Sequence, residues 1–214
     1  LSFFRTQIAE GSMLPSGKMP YEVFIPAYRD EILSDTVMVY GNVDEVELVL
    51  NGKTIRRQTA DKGPDSDYIP VPNGGNGKNL HFPPFTFYGV PKERGVLKAV
   101  GYHQGKKVAE YTVKTPGVPE RLDITYFESG KPATKNDLLI VYVRMLDKQG
   151  VLCPVNGIPV ELSVQGGEIV GPTSYPLEAG VASFLVRTGE ISKININATG
   201  KGFSTRKSLK VGKE

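Results

Sequence analysis

A strand-like run that ends in Asn51-Gly52 constrains the fold of this chain more than any other part of its sequence. Val46, Leu48 and Leu50 fall on one face of this run and Glu45 and Glu47 on the other, which is the pattern of a strand with one buried face. Asn-Gly tolerates the two positive φ values of a type I′ turn, which joins antiparallel strands. Lys53–Thr59 supplies the return strand. The pattern therefore predicts a β-hairpin within an all-β domain.

Short strand-like runs recur along the rest of the chain, separated by turn residues. Glycine (24 residues) and proline (16 residues) recur at turn spacing, and no amphipathic helix of useful length follows residue 15. Frequent short strands without helices are typical of β-sandwiches, so we predict an all-β fold with two tandem immunoglobulin-like β-sandwich domains. The predicted strands are Tyr21–Ala27, Thr36–Tyr40, Glu45–Leu50, Lys53–Thr59, Gly95–Tyr102, Lys106–Lys114, Arg121–Phe127, Asp137–Leu146, Ile158–Val164, Gly180–Arg187, Lys193–Thr199 and Phe203–Val211.

The length of 214 residues suits two domains of roughly 100 residues each better than one small sandwich. We predict the break within Thr115–Glu120, because two prolines and a glycine there interrupt strand pairing. The expected organisation is a leading segment over 1–16, a first sandwich over 17–116 and a second sandwich over 117–214.

Charge and cysteine content exclude several classes of function. The net charge of +3 is small for this length and the basic residues are scattered, so no nucleic-acid partner is predicted. No apolar run approaches the roughly 20 residues needed to span a bilayer. The single cysteine, Cys153, excludes an internal disulfide and a multi-cysteine metal site, and we interpret it as a small apolar residue near a strand end. No cofactor is expected.

Several runs in the first half share their pattern with a known family. They are Leu1–Gln7, Thr36–Asn42 leading into the hairpin, His81–Phe87, Gly95–Tyr102 and Gly105–Glu110. Together they resemble the immunoglobulin-like domain that follows the catalytic barrel in bacterial β-galactosidases of glycoside hydrolase family 2. The resemblance implies that 1–16 is the tail of the preceding barrel region, since Leu1–Gln7 is similar to the closing helix of that barrel.

The second half resembles a different kind of domain, the invasin-type bacterial immunoglobulin-like domain. The turn Asp147–Gly150 and the runs Val160–Val164, Gly180–Val186 and Ile196–Gly200 carry this resemblance. Domains of this type serve as spacers and in adhesion as well as in enzymes. The second half therefore leaves the function open between these classes.

The acidic residues do not form a recognisable catalytic or metal site. A retaining glycosidase needs two carboxyl groups about 5–5.5 Å apart across the scissile bond, whereas Glu45 and Glu47 share one face of a predicted hairpin strand, which we expect to be solvated. Asp61, Asp65 and Asp67 lack the glycine and the terminal glutamate of an EF-hand loop. We therefore predict no catalytic and no metal-binding residues, and the resemblance places the catalytic glutamates in the barrel.

Aromatic residues near the long segment 59–80 are the candidate binding residues. This segment contains three glycines in five positions, and connections of such length are functional or mobile. Tyr68, His81, Phe82 and Tyr88 lie within it or just after it. We predict them as carbohydrate-contacting or domain-contacting residues, because sugar sites combine aromatic rings with polar groups.

Two interpretations of the function remain. The first is a non-catalytic C-terminal accessory region of a β-galactosidase-like glycoside hydrolase in carbohydrate breakdown, which buttresses the barrel or shapes the substrate cleft or the oligomer. Its partners would be the barrel of the parent enzyme and either carbohydrate or a neighbouring subunit. The second is a stand-alone carbohydrate-binding or adhesion module. Since the chain starts at Leu1 without a secretory signal, we expect a piece of a longer protein, for which the parent family implies a periplasmic or secreted bacterial location.

Overall fold

The computed structural model describes residues 2–14, 17–26, 34–61, 80–126 and 132–212. Nearly all the regular structure in them is β-strand, and the one helix among these residues is a single turn, α1, Ser2–Arg5. The all-β prediction is therefore confirmed. The chain divides into two compact units, Leu1–Thr115 and Pro116–Glu214.

The first unit contains two facing sheets and a short hairpin. One sheet has the order β3-β4-β7, the other the order β6-β5-β8-β9, and β1 pairs with β2. All neighbouring strands are antiparallel. The strands are β1 (Met13–Leu14), β2 (Gly17–Lys18), β3 (Val23–Phe24), β4 (Val37–Gly41), β5 (Glu45–Leu50), β6 (Lys53–Thr59), β7 (Phe85–Phe87), β8 (Val96–His103) and β9 (Lys106–Lys114).

The core of the first unit follows from the alternation seen in the sequence. Val46, Leu48 and Leu50 point into the unit and are buried, and they pack with Phe85 and Phe87 from the short strand β7 in one apolar cluster. Both phenylalanines are almost fully buried, so burial of these large side chains stabilises the sandwich by about 2–3 kcal/mol each.

The predicted hairpin turn is confirmed, and its asparagine has a second role. Asn51 and Gly52 have φ values of 51° and 81°, as a type I′ turn requires. The side chain of Asn51 also accepts the N–H of Val96 (2.9 Å) and donates to the carbonyl of Arg94 (3.1 Å). A Cβ on Gly95 would lie 1.9 Å from the Asn51 Oδ1, so this contact needs glycine at position 95.

The second unit is a sandwich of two four-stranded antiparallel sheets. Their orders are β10-β11-β15-β13 and β14-β12-β16-β17. One apolar cluster fills the space between them and includes Cys153, which confirms its interpretation as a small apolar residue. The strands are β10 (Pro119–Tyr126), β11 (Leu138–Asp147), β12 (Pro159–Gln165), β13 (Gly167–Ile169), β14 (Ser174–Pro176), β15 (Val181–Thr188), β16 (Lys193–Gly200) and β17 (Phe203–Lys210).

Two sequence-based boundaries need correction. The strand predicted over Arg121–Phe127 begins earlier in the structure, because β10 already starts at Pro119, which pairs with Asp147 ahead of a bulge. β10 is an edge strand, and proline is tolerated at the first position of such a strand because no ladder N–H is needed there. Within the described part of the predicted strand Tyr21–Ala27, pairing is limited to Val23–Phe24.

Candidate functional site

Asn42 joins the N-terminal segment, residues 2–14, to the first sandwich. It follows the buried strand β4 and is only 3% exposed. Its side chain accepts the N–H of Glu22 (2.6 Å) and donates to the carbonyls of Ile8 (3.0 Å) and Pro20 (3.0 Å). Buried backbone groups need such partners. The side-chain amide of Asn42 therefore connects the end of β4 to Ile8, which lies 34 positions earlier, and to the stretch from Pro20 to Glu22.

Two further contacts fix the same segment. The guanidinium of Arg5 donates from Nε to both carboxylate oxygens of Glu22 (2.8 and 3.0 Å) and from Nη2 to Oε1. This fork-like geometry is the strong form of an ion pair, and the bonds to Glu22 raise the pKa of Arg5 above its usual value. The side chain of Gln7 accepts the N–H of Phe82 (3.2 Å), and Thr6 between them is fully buried.

The N-terminal segment also presents apolar side chains to solvent. Phe4 is 70% exposed and Met13 is 74% exposed. Exposed large apolar side chains can mark a contact surface, and these two lie in α1 and in β1. Here both belong to a segment whose backbone is held against the sandwich. This segment is therefore a candidate contact surface for a further domain.

The predicted aromatic binding residues are only partly brought together. His81 is exposed and contacts the half-buried Phe82 edge to face, with ring centroids 4.6 Å apart. Tyr88 is 43% exposed, and among the described residues no ring contact joins it to this pair. Tyr68 and most of segment 59–80 lie outside the described residues. The binding role of these four residues stays a prediction.

The acidic pair of the hairpin lies on the outer face of its sheet. Glu45 forms an ion pair with Arg57 (2.6 Å), and the carboxylate of Glu47 accepts hydrogen bonds from Thr54 (2.6 Å) and the hydroxyl of Tyr102 (2.7 Å). These bonds lower the pKa of Glu47, mainly through the hydrogen bond from Thr54. Two carboxylates on an open sheet face, each bound to its own partners, do not make the acid and nucleophile of a glycosidase.

The described part of the chain contains no candidate metal cluster and no candidate membrane-spanning helix. No group of three or more histidine, cysteine, aspartate or glutamate side chains there could hold a metal ion. Among the same residues no helix has the length and apolar character needed to cross a bilayer. The attachment of the N-terminal segment rests instead on the hydrogen bonds of Arg5, Gln7 and Asn42.

The residues of this attachment lie in runs that the sequence singles out, but the sequence does not assign their role. Arg5 and Gln7 belong to the run that resembles the end of a barrel, and Asn42 ends the run that leads into the hairpin. Their contacts join residues between 17 and 75 positions apart. An asparagine directly after a buried strand was the available signal, because a buried amide has to find hydrogen-bond partners.

The chain is similar in sequence to known enzymes. A model of the family described as Domain of unknown function (DUF4982) matches residues 34–109. The chain is 30% identical over 176 residues to a β-galactosidase of Thermoanaerobacter pseudethanolicus, a match that covers 77% of this chain and 22% of that protein. It is 30% identical over 129 residues to a β-galactosidase of Rhizobium radiobacter, which covers 59% of this chain and 92% of that protein.

A solved structure has a similar fold. It is described as a β-glucuronidase from glycoside hydrolase family 2, and it superimposes with a TM-score of 0.72 at 22% identity over 91% of this chain and 20% of that chain. At this identity the likeness shows the fold. The chain spans about a fifth of this structure and 22% of the Thermoanaerobacter protein, so it corresponds to one region of a larger molecule.

Proposed function

We propose, because this chain belongs to the β-galactosidases of glycoside hydrolase family 2, that it is a non-catalytic C-terminal part of such an enzyme and stabilises the attached catalytic barrel. The chain matches only 22% of the Thermoanaerobacter β-galactosidase, as expected for an accessory part of an enzyme that hydrolyses glycosides. In this proposal, the chain supports the barrel that carries out carbohydrate breakdown.

The observation that carries this proposal is the attachment of the N-terminal segment. The start of this segment resembles the closing helix of the barrel, and Asn42, Arg5 and Gln7 tie it to the first sandwich. A chain segment that ends one domain and is hydrogen-bonded into the next transmits restraint between them, because it cannot fray independently. The sandwich therefore holds the last residues of the barrel in place.

The exposed side chains of the same segment indicate which surface of the segment faces the barrel. Phe4 and Met13 are largely exposed, although the backbone beside them is anchored. We propose that they pack against the barrel of the same polypeptide. A contact with a neighbouring subunit or with carbohydrate is the finer alternative for this accessory region, and it predicts a change in oligomeric state or in sugar affinity instead.

The test compares Asn42→Ala with Asn156→Ala in the complete parent enzyme. Asn42→Ala leaves the carbonyls of Ile8 and Pro20 and the N–H of Glu22 without this partner, at a cost of about 1–3 kcal/mol. Asn156 makes one exposed side-chain bond to the N–H of Ala179 in the second unit and is the matched control.

We expect faster hydrogen exchange over residues 2–12 and a shorter half-life of hydrolytic activity on heating in Asn42→Ala, with unchanged kcat at low temperature. Asn156→Ala should show neither effect. Normal exchange in the segment, or an unchanged half-life despite faster exchange, would refute the supporting role.

A further inference from the structure

A groove opens on the first unit between the edges of its two sheets. It has a volume of about 600 Å³ and is lined mainly by residues around β3 and β9, which are both edge strands. Small-molecule sites usually have volumes of roughly 300–1,000 Å³ and combine apolar surface with a few polar groups. We call this feature the edge groove.

Aromatic rings form one part of the edge groove. Tyr21, Phe24 and Tyr111 line it, and each is half-buried. Tyr21 stacks on His103 with centroids 4.8 Å apart, and Phe24 meets Tyr111 edge to face at 5.2 Å. Such contacts fix ring orientation, so the exposed parts of these rings are presented without the entropic cost of ordering them on binding.

Charged groups of both signs form the other part. Arg5 and Glu22 line the groove as a forked pair, with side chains 40% and 25% exposed. Glu110 lies at its rim and is bound by Lys107 (2.6 Å) and Lys98 (3.7 Å). The groove therefore offers hydrogen-bond donors and acceptors from charged groups of both signs.

We infer that the edge groove binds a neutral saccharide. The Tyr111 ring and the face of the Tyr21 ring that His103 leaves uncovered suit the apolar C–H face of a pyranose. The unused hydrogen-bonding capacity of Arg5, Glu22 and Glu110 suits neighbouring hydroxyl groups. One guanidinium and two carboxylates line the groove itself, which favours a neutral sugar over the carboxylate of a uronic acid. This site uses none of the aromatic residues predicted from the sequence and does not depend on the supporting role proposed above.

The experiment titrates the 214-residue chain with methyl β-D-galactopyranoside, lactose and D-glucuronate, followed by amide NMR shifts. The key variant is Tyr111→Leu, which removes the ring and keeps an apolar side chain at the edge. Tyr175→Leu is the control, because Tyr175 also meets a phenylalanine edge to face, at 5.4 Å, but lies in the second unit. Amide spectra of both variants verify that each remains folded.

We expect saturable shifts at residues 21–24 and 109–111 with at least one neutral sugar at millimolar concentration, and weaker binding of D-glucuronate. Tyr111→Leu should lower the affinity for the neutral sugar at least tenfold, whereas Tyr175→Leu should leave this affinity unchanged. The assignment would be overturned if neither neutral sugar gave saturable shifts, or if the shifts were confined to His81 and Phe82. Binding of D-glucuronate as tight as that of the neutral sugar, or equal losses of affinity in the two variants, would also overturn it. A failure here leaves the Asn42→Ala result unaffected, so the two proposals are tested separately.

Discussion

The two units contain four-stranded sheets whose inner faces are alike and whose outer faces differ. The outer face of β6-β5-β8-β9 in the first unit carries Glu45, Glu47, Arg57 and Tyr102, joined by an ion pair and hydrogen bonds, with the Arg57 guanidinium 3.7 Å from the Tyr102 ring centroid. We call it the charged face. Long side chains there make directional contacts across neighbouring strands.

The outer face of β14-β12-β16-β17 in the second unit carries mostly short amides and hydroxyls. Ser163 lies opposite Asn197 on the next strand and Asn195 lies opposite Ser208. The hydroxyl of Ser208 donates to Asn195 (2.6 Å). We call this the amide face. Both sheets alternate buried apolar residues with these outer residues, so burial sets the fold and leaves the chemistry of the outer face free to differ.

The largest expected effect tests whether the inner faces are equivalent. Leu48→Ala in β5 and Ile196→Ala in β16 each truncate a fully buried side chain, and each should lower the free energy of unfolding by about 2–5 kcal/mol. Urea denaturation with amide NMR signals from each unit measures the losses. We expect each substitution to destabilise its own unit, and equal losses in both units after either change would contradict separate cores.

The second prediction concerns how acid pH affects the stability of the second unit. Asp147 is 3% exposed, and its carboxylate accepts the backbone N–H groups of Gly117 (2.7 Å), Gln149 (2.8 Å) and Val151 (2.8 Å). Burial alone would raise the pKa of this carboxyl, but the backbone donors outweigh burial and hold its pKa below the usual value. The acid sensitivity of the second unit therefore lies in a turn rather than on the amide face.

Asp147→Asn tests this. A carboxyl whose folded pKa is depressed stabilises the protein above its unfolded pKa, about 3.9, and that contribution disappears as the pH falls through the folded value. We expect the variant to lose about 1.5–3 kcal/mol at pH 7 and to show a flatter stability profile below about pH 4. Urea denaturation of both proteins across this pH range measures the profile. If the stability of the second unit in the Asp147→Asn variant fell with pH as it does in the unsubstituted chain, another group would control the acid sensitivity.

The smallest expected effect compares the outer faces directly. Arg57→Ala removes an ion pair and a cation–π contact from the charged face, at a cost of about 1 kcal/mol or less that falls with added salt. Arg206→Ala, opposite Asn197 on the amide face, should change stability by less than about 0.5 kcal/mol. Thermal unfolding at low and high salt measures the salt dependence of each loss. The same salt dependence for both variants would contradict the proposed difference between the charged face and the amide face.

The sequence predicts the inner faces well because burial imposes a strict period. The bounds predicted for β5, β6 and β9 agree with the structure, and Asn51-Gly52 forms the expected turn. Type I′ geometry also occurs at Gln104-Gly105 and Lys201-Gly202, where the strands impose positive φ on residues less suited to it than asparagine. The predicted strands do not include the three-residue strands β7, β13 and β14, because so few residues show too little alternation to be recognised.

The candidate sites could not be predicted in the same way. The edge groove depends on Arg5, Phe24 and Tyr111 meeting from separate parts of the chain, and no local pattern records that meeting. The resemblance marked Asn42 as part of a motif, but its bond to Ile8 spans 34 residues. Long-range polar contacts depend on how the sheets pack, which alternation alone does not specify.

The bond from Asn42 to Ile8 also bears on how such a sandwich is passed between enzymes by recombination. The matched family region begins at residue 34, yet a fragment cut there, or at residue 17, gives up an acceptor that the Asn42 amide uses. Such a fragment carries a buried donor without that partner into its new host, which is costly. We therefore expect that transferred fragments include the N-terminal segment, so that the unit exchanged between enzymes is longer than the sandwich itself.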